Sequence, residues 1–126
     1  MKLNPDCIRD ILISVEEVTT PNRGFSYSSD SELPAIKKYD RETLYYHFHQ
    51  ADLSGLLFDT SYDMSGNFFC TDLSPAGHSF LNNVRSDNNW NKTKEIAKGV
   101  GTNSLDALKT IATGVISGLI NQHLGL

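Results

Sequence analysis

Four histidines and two cysteines are the side chains of this 126-residue chain best suited to bind a metal or act as a nucleophile. His47 and His49 are two residues apart in a predicted helix, so their side chains point about 160° away from each other. Metal sites on helices place two histidines four residues apart, and zinc knuckles use Cys-x-x-Cys. Neither spacing occurs, and Cys7 and Cys70 are far apart in the sequence. The sequence therefore predicts no metal site and no other cofactor.

Motifs for nucleophilic and phosphate chemistry are also missing from the sequence. There is no Gly-x-Ser-x-Gly turn, and neither cysteine has basic neighbours that would activate it. Gly99-Val100-Gly101 is too short to hold a phosphate, and no Lys-Ser or Lys-Thr pair directly follows it. Glu16 and Glu17 are predicted on the solvent side of the first helix. We therefore expect a protein that is not an enzyme.

The formal net charge of −4 is unevenly distributed along the chain. Residues 40–84 contain one basic side chain, Arg41, and six acidic ones, whereas residues 85–126 contain five basic and three acidic side chains. No stretch has the order of a signal peptide, and the apolar run TIATGVISGLI is shorter than the ~20 residues that span a bilayer. Two separated cysteines suit a reducing compartment. We expect a cytoplasmic protein that is not inserted in a membrane.

The N-terminal part predicts one helix and a less regular segment. Asn4-Pro5 is a typical helix start, and Ile8, Ile11, Leu12 and Val15 follow at helical spacing until Thr19-Thr20-Pro21 ends the pattern. Phe25 and Tyr27 alternate with small polar residues, which is compatible with a short strand. Residues 31–36 are compatible with one helical turn.

The segment LYYHFHQADLSGLL lies in a predicted helix over residues 40–54. At about 100° per residue, Leu44, Phe48 and Ala51 share one face and are predicted to be buried. Glu42, Tyr46, His49 and Gln50 point broadly away from that face, and His47 lies on the boundary. Gly55 is predicted to end the helix.

The rest of the chain predicts a hairpin followed by three helices. The apolar runs LLF and NFF flank the turn-rich segment DTSYDMSG, and Ser74-Pro75 then begins a helix that buries Gly77, Phe80, Leu81 and Val84. A helix over 87–98 aligns Trp90, Thr93 and Ala97, and flanking glycines are predicted to end it. These elements predict an α+β fold, mainly α, with a winged-helix-like domain over 1–86 and a C-terminal helical extension over 87–126.

The last predicted helix begins at Asn103-Ser104 and has a wide apolar face. Leu108, Ala112, Val115 and Leu119 recur along it at intervals of three and four residues. This face is compatible with packing on the chain's own domain. The seam of a homodimer is the alternative.

Several short motifs resemble an uncharacterised family of small phage and prophage proteins from Gram-positive bacteria, the domain-of-unknown-function family numbered 2513. The motifs are the opening MKLNPDCIRDILISVEE, Tyr46-His47-x-x-Gln50 with Gly55-Leu56-Leu57, Asp72-Leu73-Ser74-Pro75-x-Gly77-His78-x-Phe80-Leu81, Arg85-x-Asp87-x-x-Trp90, and Ser104-Leu105-Asp106. The resemblance covers nearly the whole chain and implies a phage or prophage origin and a winged-helix-like fold. It implies no biochemical activity.

A winged-helix-like fold suggests DNA binding, with the 40–54 helix as the recognition helix. Gln50 is suited to pair with adenine, and Tyr46 and His49 to donate to phosphates. The charge distribution opposes this hypothesis, because Arg41 is the only basic residue near the hairpin, whereas Asp59 and Asp63 would repel phosphate. Phosphate contacts would also have to come from a distant basic cluster, Lys92, Lys94 and Lys98.

We therefore expect the helix and hairpin to bind a protein, with a basic partner such as a host or defence protein favoured over double-stranded DNA. A face that is merely solvated is the third reading. The residues predicted to contact a macromolecule are Glu42, Tyr45, Tyr46, His49, Gln50, Asp59, Tyr62, Asp63 and Met64.

Overall fold

The structure, a computed structural model, describes residues 1–28 and 32–126. Across these residues the chain forms five helices and three strands. In chain order they are α1 (Pro5–Val18), β1 (Phe25–Tyr27), α2 (Arg41–Leu53), β2 (Leu57–Tyr62), β3 (Phe68–Leu73), α3 (Pro75–Val84), α4 (Asp87–Val100) and α5 (Leu105–Leu124). The predicted α+β class, mainly α, is confirmed.

Helix α1 forms as the sequence predicts. The Asn4 side chain accepts a hydrogen bond from the Asp6 N–H at 3.0 Å, and Pro5 takes the first helical position. All four apolar residues of the predicted stripe are buried, and they are Ile8, Ile11, Leu12 and Val15. The helix ends at Val18, three residues before Pro21, because a proline disfavours the helical conformation in the residue that precedes it.

The three strands form one antiparallel sheet in the order β1-β3-β2. Phe25 lies opposite Cys70, which confirms the short strand expected at residues 25–27. Strand β2 continues through Tyr62, which pairs with Phe68, so the turn is limited to Asp63–Asn67. The sequence prediction had placed the whole of DTSYDMSG in the turn, because its polar residues are typical of turns.

Before α2 the chain makes one turn. The N–H groups of Ile36 and Lys37 both donate to the Leu33 carbonyl, at 3.1 and 3.0 Å. The predicted turn over 31–36 therefore lies slightly later, and its first residue, Ser31, is outside the described residues. Ile36 is fully buried and fixes the turn to the core.

Helices α4 and α5 share one core with the rest of the chain. Trp90, Thr93 and Ala97 are buried as predicted, and the Trp90 indole donates to Asp6 of α1 at 2.8 Å. Helix α4 continues to Val100 and ends at Gly101, which has φ 84°. Gly99 thus lies inside the helix, contrary to the predicted break, because only Gly101 takes the left-handed conformation that ends a helix.

The predicted dimer face of α5 is occupied within the chain. Leu108 and Ala112 are fully buried, and Val115 is 8% exposed. Only Leu119 remains partly exposed. Leu108 and Ala112 are therefore not available to a second copy, because they belong to the core that α5 shares with α3 and α4, whereas Leu119 remains a prediction. Among the described residues, no helix has both the length and the apolar character needed to cross a bilayer.

The close approach of α3 to the segment before β2 depends on Gly77. The backbone N–H of Ser74 donates to the Leu56 carbonyl at 3.0 Å, and a Cβ placed on Gly77 would lie 2.0 Å from that same oxygen. No side chain fits there, because the neighbouring atom belongs to the backbone and cannot rotate away.

We expect Gly77→Ala to lower the free energy of unfolding by about 3 kcal/mol or more, since α3 must move away from Leu56. Gly99→Ala is the matched control, because a Cβ at Gly99 meets nothing within 4 Å. This control should stabilise the chain by up to about 1 kcal/mol through helix propensity. Urea unfolding of both variants measures the difference, and equal stabilities would contradict the packing described.

Candidate functional site

The predicted binding helix α2 is held on the sheet by aromatic packing. Asp40 caps the helix by accepting from the Thr43 N–H at 2.8 Å. Leu44, Phe48 and Ala51 are buried as predicted, and the Phe48 ring stacks on Phe68 of β3 with centroids 4.2 Å apart. The helix and the hairpin therefore form one rigid unit, here called the helix–hairpin unit (residues 40–73).

Tyr45 and Tyr62 were predicted to project into solvent, but both are partly buried and pack against the core. The Tyr62 hydroxyl donates to Asp52 of α2 at 2.7 Å, and Thr60 donates to the same carboxylate oxygen at 2.8 Å. Burial, and then this hydrogen bond, raise the pKa of Tyr62 well above its ordinary value. The Tyr45 ring packs edge-on against Tyr62 at 5.6 Å. Both tyrosines mainly join α2 to the sheet, because β2 is long enough to bring Tyr62 under the helix.

The acidic residues of the hairpin are part of its structure. Asp63 accepts from the backbone N–H groups of Ser65 and Asn67 at 2.8 and 2.9 Å, and from the Asn67 side chain at 2.8 Å. The Asn67 N–H is the main cause that holds the pKa of Asp63 below its ordinary value. Asp59 has φ 57° and accepts from Thr71 at 2.8 Å. Replacing both aspartates would therefore change the hairpin as well as its charge.

A cleft of about 630 Å³ lies between the start of α2 and the hairpin turn. Tyr45 lines it from the helix, and Met64, which is fully exposed, lines it from the turn. Arg41 spans the cleft edge and donates to Asn67 at 3.2 Å. Glu42 is exposed and has no hydrogen bond or ion pair to any residue that the structure describes. An apolar wall beside a free carboxylate suits an amphipathic or basic side chain.

The remaining predicted contact residues lie further along α2. His49 is exposed, with its ring 5.3 Å from Tyr62, while Tyr46 and Gln50 are partly exposed. Leu53, which the sequence prediction omitted, is 69% exposed at the end of the helix. Helical spacing alone places Leu53 on the side of α2 opposite Leu44, so its exposure could have been predicted. It was omitted because an apolar residue was not expected at the surface.

The predicted basic cluster is divided by an internal ion pair. Lys94 lies 2.9 Å from Asp6 and 5.5 Å from the Trp90 ring centroid, so its ammonium group is engaged within the chain. Lys92 and Lys98 are exposed. Lys94 is therefore less available to a phosphate than Lys92 and Lys98, because Asp6 of α1 lies beside it, and the phosphate contacts stay a prediction.

His47 is buried rather than at the boundary, with 1% of its surface exposed. One ring nitrogen, Nδ1, lies 2.8 Å from the Thr43 carbonyl, and the other, Nε2, accepts from the Asn4 N–H at 2.8 Å. Since a carbonyl only accepts, Nδ1 carries the proton and the ring is neutral. Burial lowers the pKa of His47 below its ordinary value of 6.5. His47 thus ties the start of α1 to α2.

Neither cysteine is placed as a reactive nucleophile. Cys7 and Cys70 are fully buried, and burial raises the pKa of each thiol to about 12. A thiol in this state is a poor nucleophile. Within residues 1–28 and 32–126, no three His, Cys, Asp or Glu side chains come together as metal ligands.

The neutral state of His47 predicts a pH-dependent stability. In the unfolded chain His47 binds a proton near pH 6.5, whereas in the folded chain it binds one only at lower pH. The contribution of His47 to the free energy of unfolding is therefore complete above pH 6.5 and decreases as the pH is lowered. The loss is at most about 1.4 kcal/mol per pH unit for one proton. We expect urea midpoints measured from pH 7.5 to 5.5 to fall in the native chain.

His47→Gln should reduce the stability at neutral pH and flatten this dependence. His123→Gln is the matched control, because His123 is exposed near the C-terminus and should leave the slope unchanged. A slope that persists in His47→Gln would assign the effect to another group.

The comparisons with known proteins identify a family and no activity. No curated protein and no solved structure matches the chain. A family model described as "Hypothetical protein (DUF2513)" matches residues 2–103, which include α1 to α4 and the whole helix–hairpin unit. The chain therefore belongs to the uncharacterised family DUF2513.

Proposed function

We propose that the chain is a non-catalytic protein that binds the basic surface of another protein through the helix–hairpin unit. The resemblance to phage and prophage proteins suggests an accessory role in the cytoplasm of a bacterial host. The partner would then be a host or defence protein. The arrangement resembles a winged helix, in which α2 and the hairpin β2–β3 form one face.

One observation carries this proposal: three carboxylates of the unit are held in place by neutral hydrogen-bond donors. Asp52, Asp59 and Asp63 accept hydrogen bonds from hydroxyl, amide and backbone N–H groups, all of which are neutral. Within the described part of the chain, none of these three forms an ion pair with a lysine or arginine. The hydrogen bonds hold the carboxylates in place without cancelling their charge.

The consequence is a helix–hairpin unit with a net negative charge, in which Glu42 and Asp63 line the cleft itself. Arg41 is the only basic residue of the helix–hairpin unit, against Asp40, Glu42, Asp52, Asp59, Asp63 and Asp72. Such a field attracts a basic protein surface and increases its rate of association. The exposed Met64 and partly buried Tyr45 then provide the apolar contact that gives an interface its affinity.

DNA is the alternative ligand, and two features of the unit oppose it. The same field repels phosphates, and Arg41 is already bonded to Asn67. A helix-turn-helix protein also places a second helix directly before its recognition helix, joined to it by a short turn. Between β1 and α2 the described residues form only the turn at Leu33–Lys37.

The first experiment is photo-crosslinking from the cleft. A photoreactive amino acid replaces Met64, and in a matched control it replaces Asn91, which is exposed on α4. In an extract of the source organism we expect a protein adduct from position 64 and none from position 91. Nuclease treatment should leave the adduct unchanged, because no nucleic acid bridges the two proteins.

Glu42→Lys then tests the role of charge. Glu42 has no internal partner among the described residues, so this change reverses a charge without disturbing the hairpin. We expect it to reduce the position-64 adduct at least about tenfold, and added salt to weaken the native complex. An adduct insensitive to both would contradict a charge-selected partner.

A titration of labelled random-sequence duplex DNA, followed by fluorescence anisotropy at low and physiological salt, tests the alternative. We expect no binding at either salt concentration. Salt-sensitive binding that weakens in Arg41→Ala, with sequence preference lost in Gln50→Ala, would instead establish DNA as the ligand.

A further inference from the structure

The cleft between the start of α2 and the hairpin turn contains one carboxylate that the fold does not use. Glu42 is exposed and accepts no hydrogen bond from any residue that the structure describes. Asp63, the other carboxylate that lines the cleft, uses both of its oxygens. One accepts from the N–H groups of Ser65 and Asn67, and the other accepts from the Asn67 side chain. Glu42 is therefore the carboxylate of the cleft that a ligand can reach without opening the turn.

Arg41 also lines the cleft, but its charge belongs to the turn. Its guanidinium donates to the Asn67 side chain at 3.2 Å, and a Cβ placed on Gly66 would lie 3.1 Å from the same nitrogen. The Asn67 N–H, and to a smaller extent the charge of Arg41, hold the pKa of Asp63 below its ordinary value. Arg41 and Asp63 thus offset each other at the turn, and the charge of Glu42 is left without an opposite charge.

The start of α2 does not occupy Glu42 either. A helix N-terminus attracts anions, but Asp40 already meets this need by accepting from the Thr43 N–H at 2.8 Å. The carboxylate of Asp40 also offsets the positive end of the helix dipole. A cation can therefore approach Glu42 without strong repulsion from the helix.

The walls of the cleft suit a cation with an apolar stem. Tyr45 follows Glu42 by three residues, so the two side chains are neighbours on the helix surface. The Tyr45 ring is held by edge-on contacts with Tyr62 at 5.6 Å and Phe68 at 6.4 Å. Met64 lines the cleft from the turn and is fully exposed. An aromatic ring and a thioether favour aliphatic carbons and delocalised cations, and walls that are fixed in advance lose little entropy on binding.

These features match arginine better than lysine. A guanidinium is planar and donates two parallel N–H groups to one carboxylate, and Glu42 has both oxygens free for such a pair. It is also more weakly hydrated than an ammonium group, so it enters a partly apolar cleft at a smaller cost. The volume of about 630 Å³ lies within the usual range of small-ligand pockets, so it can hold one long side chain.

We propose that the cleft binds one arginine side chain of the basic partner. Glu42 accepts the guanidinium, while Tyr45 and Met64 pack against the stem. This inference rests on the proposed function, because it names the residue that the helix–hairpin unit recognises on its partner. Arginine is among the residues that contribute most to the affinity of protein interfaces.

An NMR titration tests the arginine site without knowledge of the partner. The chain has two methionines, Met1 and Met64, so isotopic labelling of their methyl groups gives one reporter in the cleft and one outside it. The probe is the capped tripeptide acetyl-Gly-Arg-Gly-amide at constant ionic strength. We expect a saturable shift of the Met64 methyl signal, with a dissociation constant in the millimolar range, and no shift of the Met1 signal.

Two matched peptides test the chemistry of the bound side chain. In one, citrulline replaces arginine and keeps its shape without its charge, and we expect binding at least about tenfold weaker. In the other, lysine keeps the charge without the planar group, and we expect weaker binding than for arginine. Equal binding of the arginine and citrulline peptides would overturn the proposal, as would tighter binding of the lysine peptide.

Glu42→Gln tests the residue that accepts the guanidinium. We expect it to weaken binding of the arginine peptide at least about tenfold, because the amide keeps the shape of the side chain and removes its charge. Glu95→Gln is the matched control, since Glu95 is exposed on α4 and does not line the cleft. It should leave the dissociation constant unchanged. Binding that persists undiminished in Glu42→Gln would overturn the assignment.

The titration and the photo-crosslinking experiment separate this inference from the proposed function. A position-64 adduct without any arginine-dependent shift would overturn the arginine site and leave the proposed protein binding intact. An arginine-dependent shift without any adduct would support the site and contradict the proposed partner.

Discussion

The stacking of Phe48 on Phe68 is the contact on which the rest of the structure depends. It joins α2 to the central strand of the sheet, with centroids 4.2 Å apart. Phe25 of β1 stacks at 6.3 Å from each ring, and Tyr62 of β2 packs edge-on against Phe48 at 5.8 Å, so all three strands and the helix meet at one aromatic cluster. Because aromatic rings have large areas and preferred geometries, this cluster sets the position of α2 more closely than aliphatic packing would. The cleft beside Tyr45 exists only because α2 and the hairpin are fixed together.

The acidic residues of this unit serve two purposes at once. Asp52 joins α2 to β2, Asp59 joins β2 to β3, and Asp63 closes the turn. Arginine or lysine partners would make stronger contacts, but they would also remove the negative field. Neutral donors hold the carboxylates in place without an opposite charge beside them, which is the feature on which the proposed protein binding rests. This arrangement separates the helix–hairpin unit from α5, whose outer face after Lys109 has no charge at all. The chain thus presents an acidic surface at the helix–hairpin unit and a surface without acidic or basic side chains on α5 after Lys109.

Helical elements were predictable to within a few residues, and the hairpin was not. Regular spacing located Leu44, Phe48 and Ala51 on one face of α2, because one helical turn repeats the environment. In the hairpin, Asp59 and Ser61 looked like turn residues although they lie in β2. Ser61 is extended because it pairs with Phe69 of β3, and Asp59, which has φ 57°, is held by the Thr71 side chain of β3. Local sequence encodes neither contact. Residues with intermediate polarity were the least predictable. Tyr45, Tyr62 and His47 are compatible with solvent or core, and their burial depends on the partners that the fold brings beside them.

By itself, the amino-acid sequence determined the helix starts, the buried stripes and the distribution of charge. Each of these depends on neighbours within about one turn or on simple composition. Only the tertiary structure decided which polar side chains form hydrogen bonds or ion pairs within the chain. Lys94 is engaged because Asp6 lies beside it, 88 positions away in the chain. His47 is neutral because the Asn4 N–H meets it, and Leu108 is unavailable to a second copy because α3 and α4 cover it. Such contacts join residues that are far apart in the chain, so local sequence does not predict them. The residues available at the surface are those that none of these contacts engages.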